Sequence, residues 1–163
     1  YLSLFSQTFF QHRYAAHKMF TMSKFWERYF FIFSYITQGS SYLSPYAYGA
    51  MHRLHHAYAD TENDPHSPSF DPDPFTMMWK TKGVYQEIFA DRMDLEERYT
   101  KDLPEWWAFD RWADSWNKWH ELDPTFVVIK ILNALHIIRL KPTKINPNPP
   151  YKKAKPKLVE ETV

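Results

Sequence analysis

Hydrophobic positions along this chain recur at helical rather than strand spacing. From Tyr1 to about Lys18 the pattern is apolar and then turns polar, and the uncharged stretch Tyr1 to Gln11 reads as the end of a longer helix. Ser23 stands where a helix cap belongs, because a serine oxygen can accept from the free N–H groups of a first turn. The 23 residues between Arg28 and His52 contain no Asp, Glu, Lys, Arg or His. A bilayer crossing takes about 20 mostly apolar residues, so the length would suffice. Thr37, Gln38, Gly39, Ser40, Ser41 and Pro45 interrupt the run, however, and only Tyr29 to Ile36 is strongly apolar. The pattern predicts a helix lying in a membrane interface, or partly re-entrant. Met51 to Ala59 reads as one helical stretch. Asp60 to Pro74, rich in Pro, Asp and Ser, reads as loop.

Phe75 to Tyr99 returns to an amphipathic helical pattern, and Leu103 to Trp119 sets five Trp among charged residues. Asp123-Pro124 combines a capping side chain with a proline at the first helical position. In the helix it predicts, Pro124 to Leu140, Lys130, Asn133, His136 and Arg139 recur every three residues among aliphatic ones. Such a two-faced helix suits either a core or a bilayer surface. Beyond Leu140 five prolines and six lysines predict a disordered tail. The expected organisation is one all-α, membrane-associated domain over residues 1–140 with interfacial amphipathic helices, followed by a basic tail over 141–163. There is no internal repeat and no Gly-rich phosphate loop.

Composition narrows the chemistry. A formal net charge of +1 gives no argument for a nucleic-acid partner. The absence of cysteine excludes disulfides, zinc–thiolate sites, iron–sulfur ligation and thiol nucleophiles from this chain, so a metal held here rests on nitrogen and oxygen. Aromatic residues make up 19% of the chain, as in a helical protein that meets an oily ligand or a membrane; a small aromatic core is the plainer reading.

Five of the eight histidines fall into two groups, His12-Arg13-Tyr14-Ala15-Ala16-His17 and His52-Arg53-Leu54-His55-His56. At about 100° per residue, His52, His55 and His56 lie within an arc of about 100°, on one helix face. Imidazole binds Fe, Zn, Cu and Ni well, so three on one face suit a divalent transition metal. A lone surface histidine carries no such message, and a pair five apart carries little. His12 and His17 fall about 140° apart on an α-helix, and share a site only if the helix ends or loosens between them, or if the metal sits against its side. If both groups serve one site, their connector begins and ends on one side of a membrane. Two crossings need about 40 residues, and Lys18 to Met51 supplies 34. The connector is therefore expected not to span.

The pair H-x-x-x-x-H and H-x-x-H-H is similar to the first two histidine boxes of the integral membrane fatty acid desaturases. The run His52-Arg53-Leu54-His55-His56-Ala57-Tyr58-Ala59-Asp60-Thr61-Glu62-Asn63-Asp64-Pro65-His66 resembles the second box of the acyl-CoA Δ9 branch and its Asp-Pro-His extension. Asp123-Pro124-Thr125 and Val128-Ile129-Lys130 resemble that branch's C-terminal helix, so the likeness covers most of residues 1–140. It implies a centre of two irons held by histidines from three boxes. It further implies dioxygen as co-substrate, a fatty acyl or acyl-CoA substrate that gains a cis double bond, membrane lipid around the enzyme, and electrons from a small ferredoxin or cytochrome carrier. On this mapping His12, His17, His52, His55 and His56 are iron ligands. Asp60, Asp64 and His66 match positions close to the site without being ligands; Asp64-Pro65-His66 orders the loop and offers support to the ligands from behind. The resemblance places the protein in a membrane, with its boxes on the cytoplasmic side.

The chain departs from the family in one respect. It has no third histidine box, and His66, His120 and His136 are isolated in sequence. A deletion near Trp116–Asn117, removing the last two spans and that box, is the expectation. Five clustered imidazoles would complete at most one iron site, so the chain is expected to be inactive alone. The alternatives are a related membrane di-iron hydroxylase, a non-catalytic membrane-associated metal-binding fragment, and a soluble helical zinc protein whose apolar faces pack internally.

Overall fold

A computed structural model describes residues 1–71 and 73–117, together with 131 and 135. Helices alone make up its regular elements, and no strand occurs among the described residues. Helix α1 (Leu2–Ser6) runs without a break into a π-helix (Gln7–Ala16). Then come α2 (Lys24–Gln38), a single 3₁₀ turn (Gly39–Ser41), α3 (Pro45–Tyr58), α4 (Pro74–Phe89), α5 (Glu97–Thr100) and α6 (Trp107–Asn117).

Local chemistry explains the boundaries. Ser23 occupies the cap position of α2, but its side chain makes no cap hydrogen bond. Helix α3 begins earlier than the Met51 expected from the sequence. Ser44 caps it, accepting from the Ala47 N–H, and Pro45 fills the first position, where no N–H is needed. Asp73-Pro74 repeats the device for α4, the Asp73 carboxylate accepting from the N–H groups of Phe75 and Thr76. The helix expected over Phe75 to Tyr99 is interrupted. Asp91 turns to φ 53°, and the Arg92 N–H reaches back to the Glu87 carbonyl, which closes α4 in a left-handed cap. The chain resumes helically only at α5.

Two apolar clusters hold the elements together. One packs Ala47, Ala50 and Leu54 of α3 against Val84 and Ile88 of α4, with Met93, Leu95, Tyr99 and Leu103 closing it. The other stacks Phe10 on Tyr14 within the π-helix and sets Phe10 edge-to-face with Phe31 of α2, with Trp106 and Phe109 alongside. Glu27 of α2, buried, accepts from Tyr14 Oη at 2.5 Å and from Lys24 Nζ at 2.7 Å, which ties α2 to the π-helix.

The membrane localisation expected from the resemblance, with the boxes on a cytoplasmic side, is corrected here. No helix among the described residues is long and apolar enough to cross a membrane. Helix α2, the strongest candidate, has 15 residues. At about 1.5 Å per residue that is about 22 Å, against about 30 Å of hydrocarbon. Its first five residues include Lys24, Glu27 and Arg28 and its end Thr37 and Gln38, so the apolar part is shorter still. The inference that the connector does not span agrees with this geometry. Apart from residues 131 and 135, the helix expected over Pro124 to Leu140 with its Asp123 cap, the basic tail, His120 and His136 lie outside the described residues. Helix α6 runs through Trp116–Asn117, the expected junction.

Candidate metal centre

The π-helix resolves the angular problem of the first histidine pair. Its hydrogen bonds run from residue i+5 to residue i, and the His17 N–H donates to the His12 carbonyl at 3.0 Å. Such winding takes about 4.4 residues per turn, so residues five apart come back over one another. The two rings lie with centroids 4.5 Å apart. This is the loosened helix that a shared site requires.

Helix α3 brings the second group to the same place. Gly49 allows the approach: a β-carbon there would sit 2.7 Å from Leu103 Cδ2 and 3.6 Å from the backbone of both Ala15 and Ala16. Arg53 then clamps the ends, its Nε donating to the Ala16 carbonyl at 2.9 Å and its Nη1 to the Lys101 carbonyl at 2.7 Å. His17 follows directly on Ala16, so this bond fixes it against α3. The sequence reading missed Gly49 and Arg53; the small triplet Ala15, Ala16 and Gly49 was the available sign of a close helix pair.

The rings converge. Ligating atoms of His12, His17 and His52 all lie within 4.8 Å of one another. His52 Nε2 is 3.0 Å from His17 Nε2 and 3.0 Å from His56 Nε2. An imidazole nitrogen bears either one hydrogen or one lone pair, so His52 Nε2 cannot form two full hydrogen bonds in these directions at once. A cation among the three nitrogens satisfies all of them. Two nitrogens about 2.1 Å from one ion and at a right angle are about 3.0 Å apart, which is the spacing found. The centroid of a ligating ring lies about 3.2 Å from its ion, so neighbours at right angles have centroids about 4.5 Å apart. The separations His12–His52, His17–His52, His17–His56 and His52–His56 are 4.7, 5.0, 4.9 and 4.6 Å. The donor set therefore fits a borderline transition metal.

Electrostatics favours the ligating form. Burial, reinforced by the neighbouring imidazoles, pushes His52 down to about 3, and burial first, then His12, His56 and Arg53, lowers His17. Both rings are neutral at neutral pH and present lone pairs. Tyr48 stacks on His52 at 5.6 Å.

His55 stands apart, 6.2 Å from His52 and 5.7 Å from His56. Its Nδ1 lies 2.8 Å from Oδ1 of the fully buried Asp64, which also accepts from the N–H groups of Asp60 and His66. Asp64 thus stands against the ring of His55. Asp60, at φ 55°, turns its carboxylate to Ser67 and Ser69 and orders the loop. His66 places its Nδ1 3.0 Å from Thr81 Oγ1, and its ring is 6.0 Å from that of His55.

Comparison with protein-family models, with curated proteins and with solved structures finds no match for this chain.

Proposed function

We propose that this chain carries a histidine-ligated iron centre of the fatty acid desaturase type. The observation that carries the reading is His52 Nε2, 3.0 Å from two other imidazole nitrogens in a cluster drawn from two helices. Iron as the metal, and the reaction, follow from the resemblance of the two histidine boxes and the Asp-Pro-His extension. Bound iron would supply dioxygen activation, for removal of two hydrogens from a fatty acyl or acyl-CoA chain with electrons from a ferredoxin or cytochrome carrier. His12, His17, His52 and His56 would hold the metal through ring nitrogens. Arg53 and Gly49 keep the two ligand-bearing helices in register.

The desaturases this chain resembles use two irons and a third box. The chain alone is therefore expected to bind metal without turning over substrate. The test is anaerobic loading of the purified chain with Fe(II), read by metal content, beside a His12→Ala/His17→Ala/His52→Ala variant. About one tightly held iron in the wild type and loss of it in the variant is the expected result. Equal metal content in the two would overturn the metal reading. A new monounsaturated acyl product from the chain alone, in a desaturase-deficient host, would overturn the inactivity.

A further inference from the structure

His52 is the hub of the histidine cluster, yet it lacks a support that its neighbours have. A ligating histidine ordinarily donates its other ring N–H to an oxygen, which fixes the tautomer and the direction of the ring. Nδ1 of His55 has Asp64 Oδ1 at 2.8 Å, and Nδ1 of His66 has Thr81 Oγ1 at 3.0 Å. His52 meets His17 and His56 through Nε2, and among the described residues no hydrogen bond reaches its Nδ1. The orientation of its ring has to come from another contact.

Tyr48 supplies one. It precedes His52 by one turn of α3, so the two side chains share a helix face. Their planes differ by only 12° with centroids 5.6 Å apart, an offset stack of the kind aromatic rings favour. The ligating neighbours meet His52 edge-on instead, His12 at 71°, His17 at 83° and His56 at 81°. Tyr48 therefore lies along a flat face of the imidazole while the other rings gather at its edge. Turning His52 about its Cβ–Cγ bond would press an edge against the tyrosine face. The stack thus keeps the plane in which Nε2 comes 3.0 Å from both His17 and His56. Tyr48 is itself well seated, because its N–H donates to the Ser44 carbonyl at 2.9 Å in the capped first turn of α3. Its hydroxyl makes no hydrogen bond to a described residue, and burial alone raises it above the usual tyrosine range.

We propose that Tyr48 is a positioning residue of the metal centre: its ring, stacked on His52, does for that ligand what a hydrogen-bonded oxygen does for His55. The inference rests on the metal reading above and assigns Tyr48 to the ligand rather than to the ion. What the site requires at position 48 is a flat ring, and the hydroxyl is dispensable.

The test titrates the whole chain with Co(II), followed by visible absorption, with denaturant unfolding of the metal-free chain measured beside it. Tyr48→Phe keeps the flat ring and should bind Co(II) with the wild-type affinity and spectrum. Tyr48→Leu and Tyr48→Met keep apolar bulk on residues that favour a helix but remove the plane. Each should raise the Kd about two- to tenfold, the range of a single aromatic pair, and shift the Co(II) absorption. A side chain that only filled space would alter unfolding and leave the Co(II) spectrum as it was. Wild-type affinity and spectrum in the Leu and Met variants overturns the assignment. So does a Phe variant that loses as much as they do, which moves the effect to the hydroxyl. A wild type that binds no Co(II), or a His52→Ala variant that binds it equally well, overturns instead the metal reading on which the assignment rests.

Discussion

Helix α3 carries polar clusters at both ends, and they differ in kind. At its start, Asp110 of α6 accepts from Tyr42 Oη and Ser44 Oγ, each at 2.7 Å, and Tyr85 Oη accepts from the Ser44 N–H at 2.8 Å. Each of these groups is matched to a neighbour of opposite role. At its far end His52 and His56 meet His12 and His17, and ring nitrogens face ring nitrogens. The first cluster is complete within the chain. The second gathers ring nitrogens that could hold a cation, which accepts several lone pairs together. A buried polar cluster that closes on itself argues for architecture; one that leaves like facing like argues for a ligand.

The sharpest contrast is with pH. Burial pushes Asp110 up from 3.8 to about 6, against the pull of its Tyr42 and Ser44 hydrogen bonds. A raised folded-state value means that the group's contribution is fully present below pH 3.8 and is lost as pH rises through about 6. A shift of about two units corresponds to about 3 kcal/mol. His52 acts in the opposite sense: its lowered value gives a contribution present above pH 6.5 and lost as pH falls towards 3. Denaturant unfolding of the metal-free chain from pH 3.5 to 7 therefore has to be read as a difference. Asp110→Asn should remove a decline of about 3 kcal/mol between pH 4 and 6.5. A difference curve flat with pH would show that the α3 start is not the closed, desolvated cluster described here.

The second prediction concerns the other end. His52→Ala should cost little in the metal-free chain, because it relieves crowding among imidazoles. It should, however, abolish the rise in stability on adding metal. At a hundredfold excess over Kd that rise is about 2.7 kcal/mol. Thermal unfolding with and without Zn(II), for wild type and variant, measures it. A variant as metal-stabilised as the wild type would make the histidine end no different from the Asp110 end.

This contrast was only partly legible in the sequence. Spacing alone put His52, His55 and His56 on one face, because three and four residues nearly complete an ordinary turn. It could not unite His12 with His17, since no residue pattern announces a π-helix; only the demand for a shared site hinted at a loosened one. The start of α3 was written in Ser44-Pro45, the same kind of signal as at Asp123-Pro124, but it sat inside an uncharged run that drew attention to hydropathy instead. That run suggested a helix lying in a membrane interface or partly re-entrant; α2, which holds its apolar part, is too short to cross and is charged in its first turn. The break after α4 was hidden because Asp91 adopts a left-handed backbone without glycine. Thr81 reaches His66 across fifteen residues, a contact that only the fold creates.

The smallest expected effect tests what brings the two ends' helices to their separation. Gly49 faces Leu103 and the backbone of Ala15 and Ala16, and a β-carbon there would lie 2.7 Å from Leu103 Cδ2. That atom is the tip of a side chain, so it can yield, but Leu103 is buried in the α3–α4 cluster and must move against its neighbours. Gly49→Ala would gain helix propensity, worth up to about 1 kcal/mol, and lose about 1–3 kcal/mol to overpacking. The loss outweighs the gain, and a net cost of about 1 kcal/mol is expected. The informative reading is metal affinity rather than stability. If Leu103 alone moves, His12 and His17 stay beside His52 and binding is unchanged. If α3 is displaced from the π-helix, the 3.0 Å approach of His17 to His52 opens and affinity falls with little change in unfolding. The expected outcome is the first, because the contacts to Ala15 and Ala16, at 3.6 Å, are ordinary van der Waals distances that an alanine tolerates. A tenfold loss of affinity in Gly49→Ala would place the tight restraint at the helix–helix contact instead of at Leu103.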